Sequence, residues 1–336
     1  MRLHPGGIDG RSIHDESERS CPPAETRKMQ LQRGLPEWST LVFLISVWGS
    51  SFALTKIAVE TIPPIWIPAI RLTLAASLLG IAMAVRKAEW PRGLGNWMWL
   101  TWFAVIGNIM PFFMISWATQ HVASSLAGIL MAINPLLVLL LARFLLADEP
   151  VRVNNVVGFT IGFAGVVTLI GPAAILRMGG AGIELAAQLA LIAGAFGYAA
   201  MNVTARLAPN MGLTAISGGT MAVAALIAVA TALVTDPGGL ARVSPASMSA
   251  VVVLGIFPTA LATLAVYWLV GRAGSRFLAT SNYAVPAFAV CVGWIFLGER
   301  LGSDDLIGFA LIIVGITISE QPWRRKTVRP QSAERR

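Results

Sequence analysis

The chain has 336 residues, of which 56% are hydrophobic and only 12% charged, and its mean hydropathy is +0.70. A soluble domain carries about a quarter charged residues, so there is too little polar surface here to cover a water-soluble body of this size. The net charge is +8, and residues 321–336 hold six Lys/Arg against a single Glu.

Residues 1–37 contain six Lys/Arg, six Asp/Glu, Pro22-Pro23 and no apolar run. They read as a disordered cytoplasmic tail with no signal-peptide core. Residues 1–28, upstream of Met29, read as a dispensable extension. Apolar stretches then recur at 38–58, 64–85, 97–118, 122–146, 153–171, 183–206, 213–234, 247–270, 276–297 and 303–320. Each is long enough to cross about 30 Å of hydrocarbon as a helix. Lipid leaves no other partner for backbone groups except in a closed barrel. The expected fold is an all-α polytopic membrane protein with ten transmembrane helices. The basic end, residues 321–336, follows the last span and is expected to lie against anionic lipid in the cytoplasm rather than on nucleic acid.

Loop charge sets the expected orientation. Arg86, Lys87, Arg92, Arg152, Arg206, Arg272 and Arg276 fall on one side, with the cationic residues of both flanks. The other side has Lys56, Arg177, Arg242 and Arg300. Both termini are therefore expected in the cytoplasm.

One pattern occurs twice. Pro135, Glu149, Gly158 and Gly165 are repeated about 150 residues later as Pro286, Glu299, Gly308 and Gly315. The halves 38–171 and 172–320 each hold five spans, an odd number, so the second enters from the opposite face. The expectation is two inverted five-helix repeats, an architecture that supplies two related, oppositely facing gates.

Pro135 and Pro286 each lie near the middle of a span and are expected to kink it. A proline frees the carbonyl four residues earlier, here those of Met131 and Asn282. Such backbone either lines a polar cavity or is satisfied by packing. Gly158, Gly162, Gly165, Gly308 and Gly315 make small-residue faces for close packing, within the chain or in a dimer. Glu149 and Glu299 sit in tight turns and read as structural, each capping the helix that follows it or pairing with a loop arginine. Arg71 lies inside span 2 with no embedded acid to neutralise it. It is either an anchor for a substrate anion or a structural arginine. Lys56 and Arg143 read as snorkelling cations. Cys291 reads as a small buried hydrophobe, and Trp268 and Trp294 as core packing.

These residues resemble the EamA-type branch of the drug/metabolite transporter superfamily. The resemblance rests on Trp48-Gly49-Ser50-Ser51-Phe52, on Arg71-Leu72, and on the run from Pro286 through Gly298-Glu299-Arg300-Leu301 to Gly308 and Gly315. The first half carries Asp148-Glu149-Pro150 where the second has Gly298-Glu299-Arg300. The resemblance spans roughly 38–320 and implies a ten-helix carrier of small metabolites, amino acids or related compounds among them, exported across a bacterial inner membrane.

The expected central site comprises Trp48, Ser51, Arg71, Asn108, Asn134, Tyr198, Asn202, Tyr267, Asn282 and Tyr283. No cofactor or metal is expected, and no enzymatic motif such as G-x-S-x-G or H-E-x-x-H occurs. A sensor or structural subunit, a lipid flippase and a nucleotide-sugar carrier are the alternatives. The oligomeric state is open between monomer and homodimer.

Overall fold

The computed structural model describes residues 34–146, 153–170 and 182–320. Among these every regular element is helical: α1 (Leu35–Ala58), α2 (Trp66–Val85), α3 (Leu94–Ala104), α4 (Met110–Ala118), α5 (Ser124–Met131), α6 (Asn134–Leu145), α7 (Val153–Ile170), α8 (Ile183–Thr204), α9 (Leu213–Thr235), α10 (Pro245–Leu254), α11 (Ala262–Ala273), α12 (Ser275–Ala279), α13 (Ser281–Leu297) and α14 (Ser303–Glu320). Short π-helical segments, Val105–Ile109 and Gly255–Leu261, join α3 to α4 and α10 to α11 into continuous rods. Eight helices among the described residues are long and apolar enough to cross a membrane. The chain is thus a multi-pass membrane protein, as its composition requires.

Local chemistry explains the boundaries. α1 starts at Gly34, whose amide donates to Glu37 Oε2 at 2.9 Å, with Pro36 in the first turn. α10 starts at Ser244, whose hydroxyl accepts from the Ser247 amide, and Pro245 follows where no helical N–H is needed. α13 ends at Gly298 in the left-handed region, φ +64°, and the Glu299 amide returns to the Gly293 carbonyl at 3.1 Å.

Helix packing repeats between the halves. α2 packs on α9, and α7 on α14. α1 packs against α13 and α10, while α8 packs against α6 and α4. α2 meets the π segment at 255–261, and α9 meets α3. Each of these contacts has a counterpart in the other half.

The glycine faces of α7 and α14 meet each other. A methyl at Gly165 would lie 2.7 Å from the Gly308 carbonyl oxygen, and one at Gly315 would lie 2.5 Å from that of Gly158. Gly162 completes this contact, its backbone 2.6 Å from the same methyl at Gly315. The stripe is consumed by this contact within the chain.

Some sequence expectations change and one is refined. The kink expected at Pro135 is a local break: α5 stops at Met131 and α6 starts at Asn134, while Ala132 and Ile133 stay in the right-handed helical region, so the span Ser124–Leu145 passes through one tightened turn just before the proline. Pro286 does lie inside α13, but the interruption in that rod comes earlier, at Thr280. Cys291 is exposed, and Trp294 is 67% exposed, so both face outward rather than into the core. Trp268 is 40% exposed and borders a second cavity. On the outside of a membrane helix, as at Trp294, an apolar side chain meets lipid, where burial gains it nothing.

Candidate functional site

The bundle holds a partly open cavity of about 410 Å³. Both halves line it. α1 contributes Trp48 and Ser51, α2 Arg71, the first π segment Asn108, and α6 Asn134 and Pro135. The second half contributes Tyr198 and Asn202 from α8, Tyr267 from α11, and Asn282 and Pro286 from α13. Nine of the ten expected site residues therefore converge on one space. The side chain of Tyr283 and the whole of Glu149 lie outside the described residues.

Arg71 is the one charged side chain among the described lining residues. It is 7% exposed. Its Nε donates to Thr259 Oγ1 at 2.6 Å, and its guanidinium carbon lies 3.8 Å from the Phe112 ring centroid. No carboxylate pairs with it among the described residues. A hydroxyl and a ring face orient the cation without neutralising it. Thr259 Oγ1 in turn donates to the Leu254 carbonyl at 2.8 Å. Asn108 Nδ2 likewise donates to the Phe103 carbonyl at 2.9 Å. Both bonds reach back five residues, so each π segment has a polar side chain covering the carbonyl its wider turn exposes.

The remaining polar groups differ in commitment. Asn134 Nδ2 donates to the Ala195 carbonyl at 3.0 Å, tying α6 to α8 at the edge of the cavity. Ser51 donates to the Trp48 carbonyl at 2.6 Å, which leaves its lone pairs facing the space. Tyr198 stands edge-on to Phe112 at 6.4 Å. Thr220, also in the lining, has a buried hydroxyl with no hydrogen-bond partner among the described atoms. Sequence reasoning missed Thr259, Phe112 and Thr220. Thr259 follows Pro258 inside an apolar stretch and carries no signal of its own in the sequence.

Beyond the cavity, the turn between α4 and α5 is held from both sides. Lys56 Nζ donates to the carbonyls of Thr119 (2.7 Å) and Val122 (3.0 Å). It does not snorkel to water, because helix-end carbonyls accept its hydrogen bonds. Glu299 does not cap the helix that follows it; it accepts from the Ser124 and Ser125 amides at 2.7 and 2.9 Å, at the start of α5. A cation thus sits at the carboxyl end of α4 and an anion at the amino end of α5, matching both helix dipoles. A methyl at Gly293 would collide with the Glu299 carboxylate, so glycine there lets the side chain fold back. Burial works against the Glu299 charge, but hydrogen bonds from Ser125 and Ser124 outweigh it and hold the carboxyl below its ordinary range.

At the other end of the bundle, Arg272 Nε pairs with Glu37 Oε1 at 2.7 Å. Trp38 packs edge-on to Phe277 at 4.9 Å. No group of three or more metal-ligating side chains occurs among the described residues.

A family model described as the EamA-like transporter family matches residues 37–171 and again 185–320. A probable terminal-alkyne amino-acid exporter of Streptantibioticus cattleyicolor is 26% identical over 287 residues, covering 83% of this chain and 91% of that protein. The "uncharacterized inner membrane transporter YedA" of Escherichia coli (strain K12) is 26% identical over 299 residues, covering 86% and 92%. A solved crystal structure superposes with a TM-score of 0.59 at 21% identity, covering 85% of this chain and 97% of that one. That last likeness concerns the fold alone.

Proposed function

Because the chain belongs to the EamA-like transporter family, we propose that it is a secondary transporter moving a small metabolite through the central cavity by alternating access. One observation carries this reading: a cavity lined by both halves, with an oriented and unneutralised cation and several amide and hydroxyl side chains on its largely apolar wall. In this reading ten rods cross the membrane as two inverted five-helix repeats, and the exchange symmetry of the packing supports that arrangement. Both termini lie in the cytoplasm of a bacterial cell, and the basic end rests on anionic inner-leaflet lipid.

The solute is an amino acid or related compound, moved outward. The alkyne amino-acid exporter among the relatives favours this class. Arg71 takes the anionic group. Trp48, Ser51, Asn108, Asn134, Tyr198, Asn202, Tyr267, Asn282 and Tyr283 surround the rest, and the breaks at Pro135 and Thr280 hinge the gates. No acidic side chain lines the described cavity, so coupling through a buried carboxylate is not part of the mechanism. A nucleotide-sugar carrier would need several cavity cations, and a sensor or structural subunit would need no polar space.

Counterflow of a radiolabelled amino-acid panel in proteoliposomes tests the reading. Saturable flux that Arg71→Ala and Asn282→Ala reduce by at least about tenfold is expected, the loss of about 1.4 kcal/mol of binding or more. Absence of flux across the panel would favour the non-transporting alternative. Flux indifferent to both substitutions would remove those residues from the site.

A further inference from the structure

A second cavity, of about 270 Å³, lies between the end of α2, the start of α9 and the middle of α11. It shares two lining residues, Ser217 and Tyr267, with the central cavity. These two residues border both spaces. The smaller cavity belongs to the end of the bundle where Arg272 pairs with Glu37. At the opposite end, Lys56 and Glu299 tie down the α4–α5 turn, Trp66 Nε1 donates to the Asp236 carbonyl at 3.0 Å, and Ser247 donates to the Ile57 carbonyl at 2.8 Å. Polar contacts tie rods at the smaller cavity's end as well, Arg272 to Glu37 and Trp102 Nε1 to Thr204 Oγ1 at 3.0 Å, but there a space remains beside the central one.

The chemistry of the smaller space is asymmetric. Arg86, exposed at the carboxyl end of α2, edges it, and Trp268 walls it. The Arg272 guanidinium lies 5.1 Å from the Trp268 ring centroid and is itself held by Glu37, so the indole is braced from behind. Among the described lining residues no acid offsets Arg86. A cationic rim over an aromatic and aliphatic wall favours solutes that carry a negative charge on an apolar body.

We propose that the 270 Å³ cavity is an access site for anionic solute on the cytoplasmic face, and that Tyr267 with Ser217 is the door between it and the central site. The inference deepens the transport reading and rests on it for its direction. The route itself is a property of the two cavities.

Thr220 provides the probe position. Its hydroxyl lines the central cavity and has no hydrogen-bond partner, so Thr220→Cys forfeits no bond. With Cys21→Ser and Cys291→Ala as background, the anionic thiol reagent 2-sulfonatoethyl methanethiosulfonate is applied to inverted and to right-side-out membrane vesicles. The thiolate attacks the thiosulfonate sulfur, forms a mixed disulfide and releases methanesulfinate. Labelling of Cys at position 220 is expected to be faster in inverted vesicles. Ala82→Trp, which fills the smaller cavity, should slow it by at least about tenfold. Tyr267→Ala should speed it several-fold, and Ala82→Trp added to Tyr267→Ala should slow it again. Arg86→Ala should lower the rate for the sulfonate relative to the cationic trimethylammonium-ethyl reagent by about twofold or more.

Misfolding would expose the cysteine and raise the rate, the opposite of the Ala82→Trp expectation, so an unfolded variant cannot imitate support. An unchanged or raised rate in Ala82→Trp, or faster labelling from the right-side-out face, overturns the proposal. The outcome is separable from the transport reading. Flux could be absent from the whole panel while Ala82→Trp still governs labelling, and flux could be present while labelling ignores the smaller cavity.

Discussion

Replacing Glu299 by alanine removes two hydrogen bonds from the Ser124 and Ser125 amides. It also removes a negative charge from the positive end of α5. A hydrogen bond to an ionised acceptor contributes about 1.5–3 kcal/mol when fully buried. Glu299 is only partly buried, so solvent screening discounts both bonds, and ~2 kcal/mol for the pair is the expected loss. Glu299→Gln keeps one amide oxygen as acceptor and should lose about half of that. The eleven tryptophans make intrinsic fluorescence a convenient melting assay in detergent. The alanine variant should melt about 4 °C lower at pH 7. The folded-state pKa of Glu299 lies below its ordinary value of 4.5. Its stabilisation is therefore complete above that pH and is lost as pH falls through the lowered value. The gap between parent and Glu299→Gln should narrow as pH falls below 4.5 and the carboxylate takes up its proton. A melting point within about 1 °C of the parent at pH 7, or a gap that does not narrow in acid, would refute the reasoning.

Gly315→Ala should cost about 2–3 kcal/mol, because the added methyl meets backbone of α7 that cannot give way. Gly80→Ala is the control, since nothing lies within 4 Å of a methyl there, and its melting curve should not fall. Lys56→Met should lower the melting point by a few degrees, because the Thr119 and Val122 carbonyls lose their donor at a cost of about 1–2 kcal/mol. Trp294→Leu should be silent within about 0.5 kcal/mol, since the ring faces outward. For any solute found by the counterflow panel, Thr259→Val should weaken binding by misplacing Arg71, and Thr259→Ser should restore it. Equal defects in both would mean that the hydroxyl is not what orients the guanidinium.

Apolar stretches bounded by Pro, Gly and charge were readable because lipid imposes length and continuity on a crossing helix. The described helices start or end within a few residues of the stretches at 38–58, 64–85 and 213–234. The convergence of Trp48, Arg71, Asn134 and Asn282 was readable too, since polar residues inside such spans have few places to go. Which face of a span looks inward was not. A helix apolar all round carries no amphipathic stripe, and so Cys291 and Trp294 were assigned to a core they do not join. The irregularity at Pro135 was readable because proline removes one helical bond, but its form, a tightened turn at Ala132-Ile133, depends on the surrounding packing. Lys56 looked like a snorkelling cation because the carbonyls that hold it come from residues more than sixty positions away. Thr259 is an ordinary residue in sequence, and only packing places it against Arg71.

The two π-helical segments carry a consequence for motion. Each widened turn accommodates one residue more than an α-helical turn would, so each of the rods Leu94–Ala118 and Pro245–Ala273 holds a spare residue of register. If that spare residue moved along the rod by a turn, the intervening helix would rotate by about 100° and advance by about 1.5 Å without unwinding. Asn108 and Thr259 act as detents, since each must release its five-back carbonyl before the slack can travel. Because Thr259 also holds Arg71, a solute that pulled on the guanidinium would be pulling on the catch of that ratchet.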